Sequence, residues 1–331
     1  MTRTIPKVEL HCHIEGAALP DLVRRLAARY HIDVGGLFDA DGGYRWHDFT
    51  SFLEAYDRAA SVFKTAEDFA DLTETYLVAS ALEGVIYTEV FISPDHARRS
   101  GIAYADYLGG ISEGMRRAEE SHGIVGRIIP LIERHFGPEA AIKAAKTAVH
   151  TMDERVVGFG MAGDERLYEV TDFAPAFAVA AEAGLKLTCH AGEVCGAESV
   201  RATLDAIPVR RIGHGVRAIE DADLMRRLAD EEIVLEVCPG SNVALGVYAG
   251  WPRHPIVRLR DAGIKVTISS DDPPFFHTTV GRDYRMVQDT FTLSDREMLA
   301  FTQTAIDAAF CDETVKTRLR QQMLNGEAFT S

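Results

Sequence analysis

The sequence predicts an α/β fold, a (β/α)8 TIM barrel with an inserted helical lid after strand 1. Eight apolar, β-branched runs recur along the chain, most of them separated by stretches of helical periodicity. That alternation is the mark of repeated βα units around a parallel sheet. The length of 331 residues suits a barrel of about 250 residues carrying insertions. Polar, chemistry-bearing residues close several of the runs, and the carboxyl ends of barrel strands are where such folds place their active sites.

In order, the runs are Val8 to His13, Val85 to Ile92, Ile124 to Ile132, Val156 to Met161, Leu185 to His190, Arg211 to Gly215, Ile233 to Cys238 and Lys265 to Ser270. Helical patterns fall at Asp68 to Glu83, Tyr104 to Ser121, Pro138 to Met152, Thr171 to Ala183, Ile219 to Ala229 and Pro255 to Ala262. Leu19 to Lys64 is too long for a simple connection and holds two further helices, Pro20 to Ala28 and Phe49 to Val62, so it reads as a lid over the exit of the first strand. Phe49, Phe52, Leu53 and Tyr56 form one apolar stripe at helical spacing. Core packing is the default reading of such a stripe, and a pocket wall is the second. From about Leu293 the chain is helical again. No linker or repeat interrupts residues 1–331, which are expected to form one domain.

A formal charge of -15 disfavours nucleic acid and anionic membranes as partners, and Arg24 with Arg25 reads as the solvated face of a helix. Cys12, Cys189, Cys195, Cys238 and Cys311 lack any C-x-x-C spacing, so neither a disulfide framework nor a thiolate zinc site is expected. With no apolar run ahead of Glu9 and none of spanning length, a reducing, cytoplasmic setting is the expectation.

The strand ends carry the chemistry. Strand one ends in His11-Cys12-His13, and alternation sends both imidazoles to one face while Cys12 turns away. Strand five ends in His190-Ala191-Gly192-Glu193, strand six in Gly213-His214-Gly215 and strand eight in Ser270-Asp271-Asp272. Imidazoles with a carboxylate suit zinc or a similar divalent ion, with a position left for water. Such a site favours hydrolytic attack on an electrophilic carbon.

These residues make the chain resemble adenosine deaminase and its adenine-deaminase-like relatives. The resemblance runs from Lys7-Val8-Glu9-Leu10-His11-Cys12-His13-Ile14-Glu15-Gly16 through Ala162-Gly163-Asp164-Glu165, His190-Ala191-Gly192-Glu193, Gly213-His214-Gly215 and Glu236-Val237-Cys238-Pro239 to Ser270-Asp271-Asp272-Pro273. It implies one Zn2+ per chain on His11, His13, His190 and Asp271. It also implies Glu193 as the acid at the purine ring nitrogen, and His214 as the group that orients water, stabilises the oxyanion or acts as base. Asp272 would bind the N7 side and the Gly163 backbone N–H the N3 side. The chemistry agrees, because purine C6 becomes electrophilic only when the ring is protonated.

Typical adenosine deaminases carry Asp two residues after the second histidine, facing the ribose 5'-hydroxyl. Here the residue is Glu15, which either still reaches a ribose or shrinks the pocket toward free adenine. Asp283-Tyr284-Arg285-Met286 resembles the adenosine-specific branch. The expected reaction is therefore deamination of adenosine, and of 2'-deoxyadenosine, to inosine and ammonia in purine salvage. Adenine or another 6-aminopurine is the alternative substrate, and a non-catalytic purine-binding protein the remote one.

The expected partner is a small purine nucleoside or base, and the sequence leaves the choice between monomer and homo-oligomer open. A cytidine-deaminase site would need C-x-x-C. A binuclear site would need a lysine where strand four has Met161-Ala162-Gly163, and an AMP deaminase would need a basic cluster. His31, His47, His96, His122, His135, His150 and His254 read as surface or structural, His277 as a possible pocket residue and Cys238 as core.

Overall fold

The computed structural model describes residues 5–327. Eight strands, β1 (Lys7–His13), β2 (Val85–Ile92), β3 (Val125–Glu133), β4 (Gly158–Ala162), β5 (Lys186–Ala191), β6 (Arg211–His214), β7 (Val234–Val237) and β8 (Lys265–Ile268), follow one another in sequence order. Each is parallel to the next. The ring closes where His13 N donates to Asp271 O and Asp271 N to His11 O, so the two ends that carry ligand-type residues are bonded to each other.

All eight expected strands are present with bounds shifted by a few residues. Their near-continuous burial, complete over the seven residues of β1, is what a parallel sheet covered on both faces requires. The register of β1 against β2 shifts between Glu9 and Cys12. Glu9 is bonded to Tyr76 and Ser270, whereas His11 reaches Glu236.

Helices cover the outside. Short helices that the sequence pattern does not reveal, Pro94–Ser100, Ala197–Ala206 and Pro239–Ala244, start just beyond strand ends, and Val280–Phe291 follows the loop after β8. At the opposite end Asp295–Ala308 and Glu313–Glu327 close the barrel floor, packing Leu299, Ile306 and Leu319 with Val8, Leu10, Tyr87 and Val125.

The lid forms as expected. Helix Phe49–Ala60 is started by a reciprocal cap in which Ser51 N donates to Asp48 Oδ1 and Ser51 Oγ accepts from Asp48 N. Phe52 and Tyr56 lie against Phe275, which follows the acidic pair after β8. Trp46 Nε1 donates to Phe275 O at 3.2 Å, tying the lid to that loop. All five cysteines are free. Among the described residues no helix is long and apolar enough to cross a membrane.

Candidate active site

His11, His13, His190, His214, Asp271 and Asp272 converge at the mouth of the barrel. Ligand atoms of His11, His190, His214 and Asp271 lie within 4.8 Å of one another, as do those of His13, Asp271 and Asp272. Two imidazoles are committed through Nδ1. That of His11 donates to Glu236 Oε2 at 2.8 Å, and that of His190 to Met161 O at 2.8 Å. In each ring the Nε2 lone pair then faces the cluster. Buried His11 Nε2 has no hydrogen-bond partner, and His190 Nε2 stands 3.2 Å from His13 Nε2. Asp271 Oδ1 is 3.5 Å from His11 Nε2 and 3.4 Å from His13 Nε2, while its Oδ2 accepts from Ser241 Oγ at 2.7 Å.

Buried lone pairs pressed together beside a carboxylate fit a divalent cation. Asp271 and His214 hold φ of 67° and 57°, in the left-handed region that few non-glycine residues adopt.

Glu193 is buried, and burial pushes its carboxyl well above the usual range, with the Asp271, Glu165 and Asp164 carboxylates adding to the rise. Its loop is fastened by Glu165, which accepts from the backbone N–H of Gly192 and Glu193 at 2.8 Å each and of Val194 at 3.0 Å. Glu193 Oε1 is 3.7 Å from His214 Nε2. Burial lowers the His214 pKa to about 3, so its ring is neutral. Asn242 Nδ2 lies 3.2 Å from His214 Nδ1, and Asn242 Oδ1 lies 3.2 Å from His254 Nε2. Donation from the amide leaves the His214 proton on Nε2, toward Glu193 and Asp271.

Asp272 is buried with Oδ1 unpartnered. It fits there because residue 16 is glycine: a Cβ at Gly16 would sit 1.6 Å from that oxygen. At Gly163, φ of +92° and a Cβ position only 2.8 Å from His135 Nδ1 likewise demand glycine.

A small cavity lies among these residues. His13, His190, Glu193, His214, Asp271 and Asp272 line it, and so do Phe49, Phe52, Leu53 and Tyr56, of which Phe52 and Tyr56 are also packed in the hydrophobic core. Asp57, His96, Glu133, His135, Ala162 and Gly163 complete the lining.

Three sequence expectations change here. His96 and His135 line the cavity, although loop position pointed to the surface or a structural role. His277 instead lines a separate groove with Leu19 and Pro20. Asp283 accepts from Gly240 N at 2.9 Å and is bonded to Thr278, so it fastens the loops after β7 and β8 and carries no information on a sugar.

Glu15 is also buried, but it is not part of the lining. Its Oε2 accepts from the Tyr56 hydroxyl at 3.1 Å and its Oε1 from that of Tyr107.

Sequence reasoning gave no site role to Glu236, Asn242, Glu165, His96 or Glu133, although Glu165 and Glu236 stand in the segments that carry the resemblance. Glu236 interrupts an apolar run, which is itself a signal. Glu133-Arg134-His135 sits at the end of β3, where the strand-end rule applied to β1, β5, β6 and β8 would have found it. Asn242 gives no local signal.

The adenosine deaminase family profile matches residues 6–325. An adenine deaminase of Rhizobium leguminosarum bv. trifolii is 54% identical over 319 residues, 96% of this chain and 99% of the relative. Among solved structures, the adenine deaminase from Arthrobacter aurescens superposes with a TM-score of 0.89 at 29% identity, covering 97% of this chain and 99% of the other. An amidohydrolase from Burkholderia ambifaria with bound Zn gives 0.88 at 27% identity, covering 97% and 90%. On a match that spans nearly its whole length, this chain belongs to the adenosine deaminase family of metal-dependent amidohydrolases.

Proposed function

We propose that the protein is a zinc-dependent adenine deaminase, converting adenine and water to hypoxanthine and ammonia. One observation carries the choice of base over nucleoside. Glu15 stands at the position that in the adenosine branch meets the ribose, and both its oxygens are occupied by Tyr56 and Tyr107. With Glu15 engaged in this way, the carboxylate at that position is not free to take a ribose hydroxyl, and the lid wall beside it is formed by Phe49, Phe52, Leu53 and Tyr56. The names of the relatives favour the same substrate, and adenosine, the first expectation from sequence, gives way to it.

His11, His13, His190 and Asp271 would hold the ion. Bound there, zinc would supply a water with a pKa near 7 instead of 15.7. Glu193, kept protonated by burial, would give its proton to N1 and open C6 to water; of the water's two protons one would leave with the 6-amino group as ammonia and the other would restore Glu193, while the oxygen stays on C6. Neutral His214 presents Nε2–H to that oxygen, and Asp272 bonds the N7 side of the ring. Buried walls exclude competing water. Five free cysteines fit the reducing cytoplasm as its compartment.

The test is loss of ultraviolet absorbance with zinc-loaded protein on adenine and adenosine at equal concentration. Turnover of adenine with little of adenosine is expected. Faster turnover of adenosine would refute the choice of substrate while leaving the chemistry intact.

A further inference from the structure

The cavity that takes in the metal-ligand residues is also lined by a second group of polar side chains. His96 Nε2 is 3.0 Å from Asp57 Oδ1, and His96 Nδ1, buried without a hydrogen-bond partner, is 3.9 Å from Glu133 Oε1. Both ring nitrogens of His135 are buried and unpartnered. Gly163 joins this group to the rest of the cavity: a Cβ there would meet His135 Nδ1 at 2.8 Å and Glu133 Oε2 at 3.3 Å.

The contrast with Glu15 is chemical. Glu15 has both oxygens satisfied, whereas among the described residues the nearest cationic partner of Glu133 lies beyond hydrogen-bond length. A buried carboxylate left open toward a ligand cavity is costly unless the ligand supplies the donor.

In adenine the reacting C6 and neighbouring N1 lie on one side of the bicycle, and N3 and N9 on the other. With C6 at the metal cluster, N1 at Glu193 and N3 toward the Gly163 backbone, the neighbouring N9 comes to the side of Gly163 where Glu133 Oε2 lies. A free base carries a hydrogen on N9, and a nucleoside carries the sugar there. We infer that Glu133 is a specificity-determining residue that accepts the N9–H of the free base, with His96 and His135 shaping the cavity around it. This deepens the adenine reading and rests on it. A carboxylate oxygen accepts whether the group is ionised or protonated, so the contact does not depend on its charge state. Substitution at N9 removes the donor and sets a carbon against an acceptor, the kind of mismatch that such sites reject strongly.

The experiment uses the full zinc-loaded chain, wild type, Glu133→Leu and Glu133→Gln, and measures kcat/KM for adenine and 9-methyladenine together with zinc content and thermal unfolding. Wild type is expected to prefer adenine strongly. Glu133→Leu is expected to lose roughly 10- to 100-fold on adenine. The loss should fall mainly in KM, because the contact exists before and during reaction. Turnover of 9-methyladenine should hardly change, so the preference collapses. Glu133→Gln, close to isosteric, covers the case in which leucine does not fold, and about a 5- to 10-fold loss on adenine alone is expected from the weaker neutral contact.

A folded variant of either kind with normal zinc content whose adenine to 9-methyladenine ratio equals that of wild type overturns the inference. So does a wild-type enzyme that uses both substrates equally. A wild-type enzyme inactive on adenine but active on another 6-aminopurine overturns the substrate reading itself, and the inference falls with it.

Discussion

Replacing Glu236 by glutamine tests whether the metal cluster depends on a carboxylate behind it. Glu236 accepts from three buried donors: His11 Nδ1 at 2.8 Å on one oxygen, and Thr188 Oγ1 at 2.8 Å and Arg211 Nε at 2.5 Å on the other. An amide has one acceptor end. If its oxygen stays with Arg211 and Thr188, its NH2 faces His11 and forces that ring to accept at Nδ1, which puts the proton on Nε2 and removes the lone pair facing the cluster. If the amide turns over, Arg211 loses an acceptor within a fully buried pair.

Loss of a partner that orients a metal-binding histidine weakens metal affinity about 10- to 100-fold, or about 1.4 to 2.8 kcal/mol. Zinc affinity by chelator competition, with thermal unfolding of both metal-free proteins, reads the two costs separately. A folded Glu236→Gln protein with zinc affinity within about threefold of wild type, well short of the tenfold minimum, would refute the orienting role.

Glu193→Gln should retain zinc and lose about 10^2- to 10^4-fold in kcat, and full turnover in that variant would sink the acid role. Asn242→Ala frees the His214 ring to change tautomer, so kcat should fall about 10- to 100-fold with zinc content unchanged. Unaltered kcat would show that the Asn242–His254 relay is only packing. Burial alone would lower the His96 pKa, but its hydrogen bond to Asp57 and the Glu133 and Glu15 carboxylates outweigh burial and raise it to about 9. The stability this supplies is whole below the unfolded value of about 6.5 and is lost as pH rises through about 9. Urea unfolding should therefore show wild type weakening over that window more than Asp57→Asn, and parallel curves would exclude His96 as the source.

Strands are easy to read in this sequence because each is an apolar run bounded by chemistry, and parallel burial makes such runs continuous. The six groups at the cluster were equally visible, since every one of them closes a strand. What stayed hidden depends on contacts across the barrel. Asn242 acts only because a short helix after β7 carries it beside His214, and Glu165 only because the loop after β4 folds under that after β5. Local pattern encodes neither proximity. Asp283 shows the opposite failure, a motif legible in sequence whose side chain turns out to fasten two loops. Glu133 was legible but unread.

The carboxylate behind His11 belongs to a longer file of charge. Arg211, which bonds Glu236, also donates to Glu89 at 2.6 Å and to Ala308 O, and its guanidinium lies 3.6 Å from the centre of the Phe310 ring. Phe310 N closes the file by donating to Glu89. Barrels of this kind are usually described as two separable halves, a catalytic rim above and a stabilising base below. Here the base is wired to the rim: the turn between the last two helices holds the arginine that holds the glutamate that sets the histidine. An engineer who trims, fuses or recombines this chain at its carboxyl terminus would therefore be retuning the metal cluster from underneath.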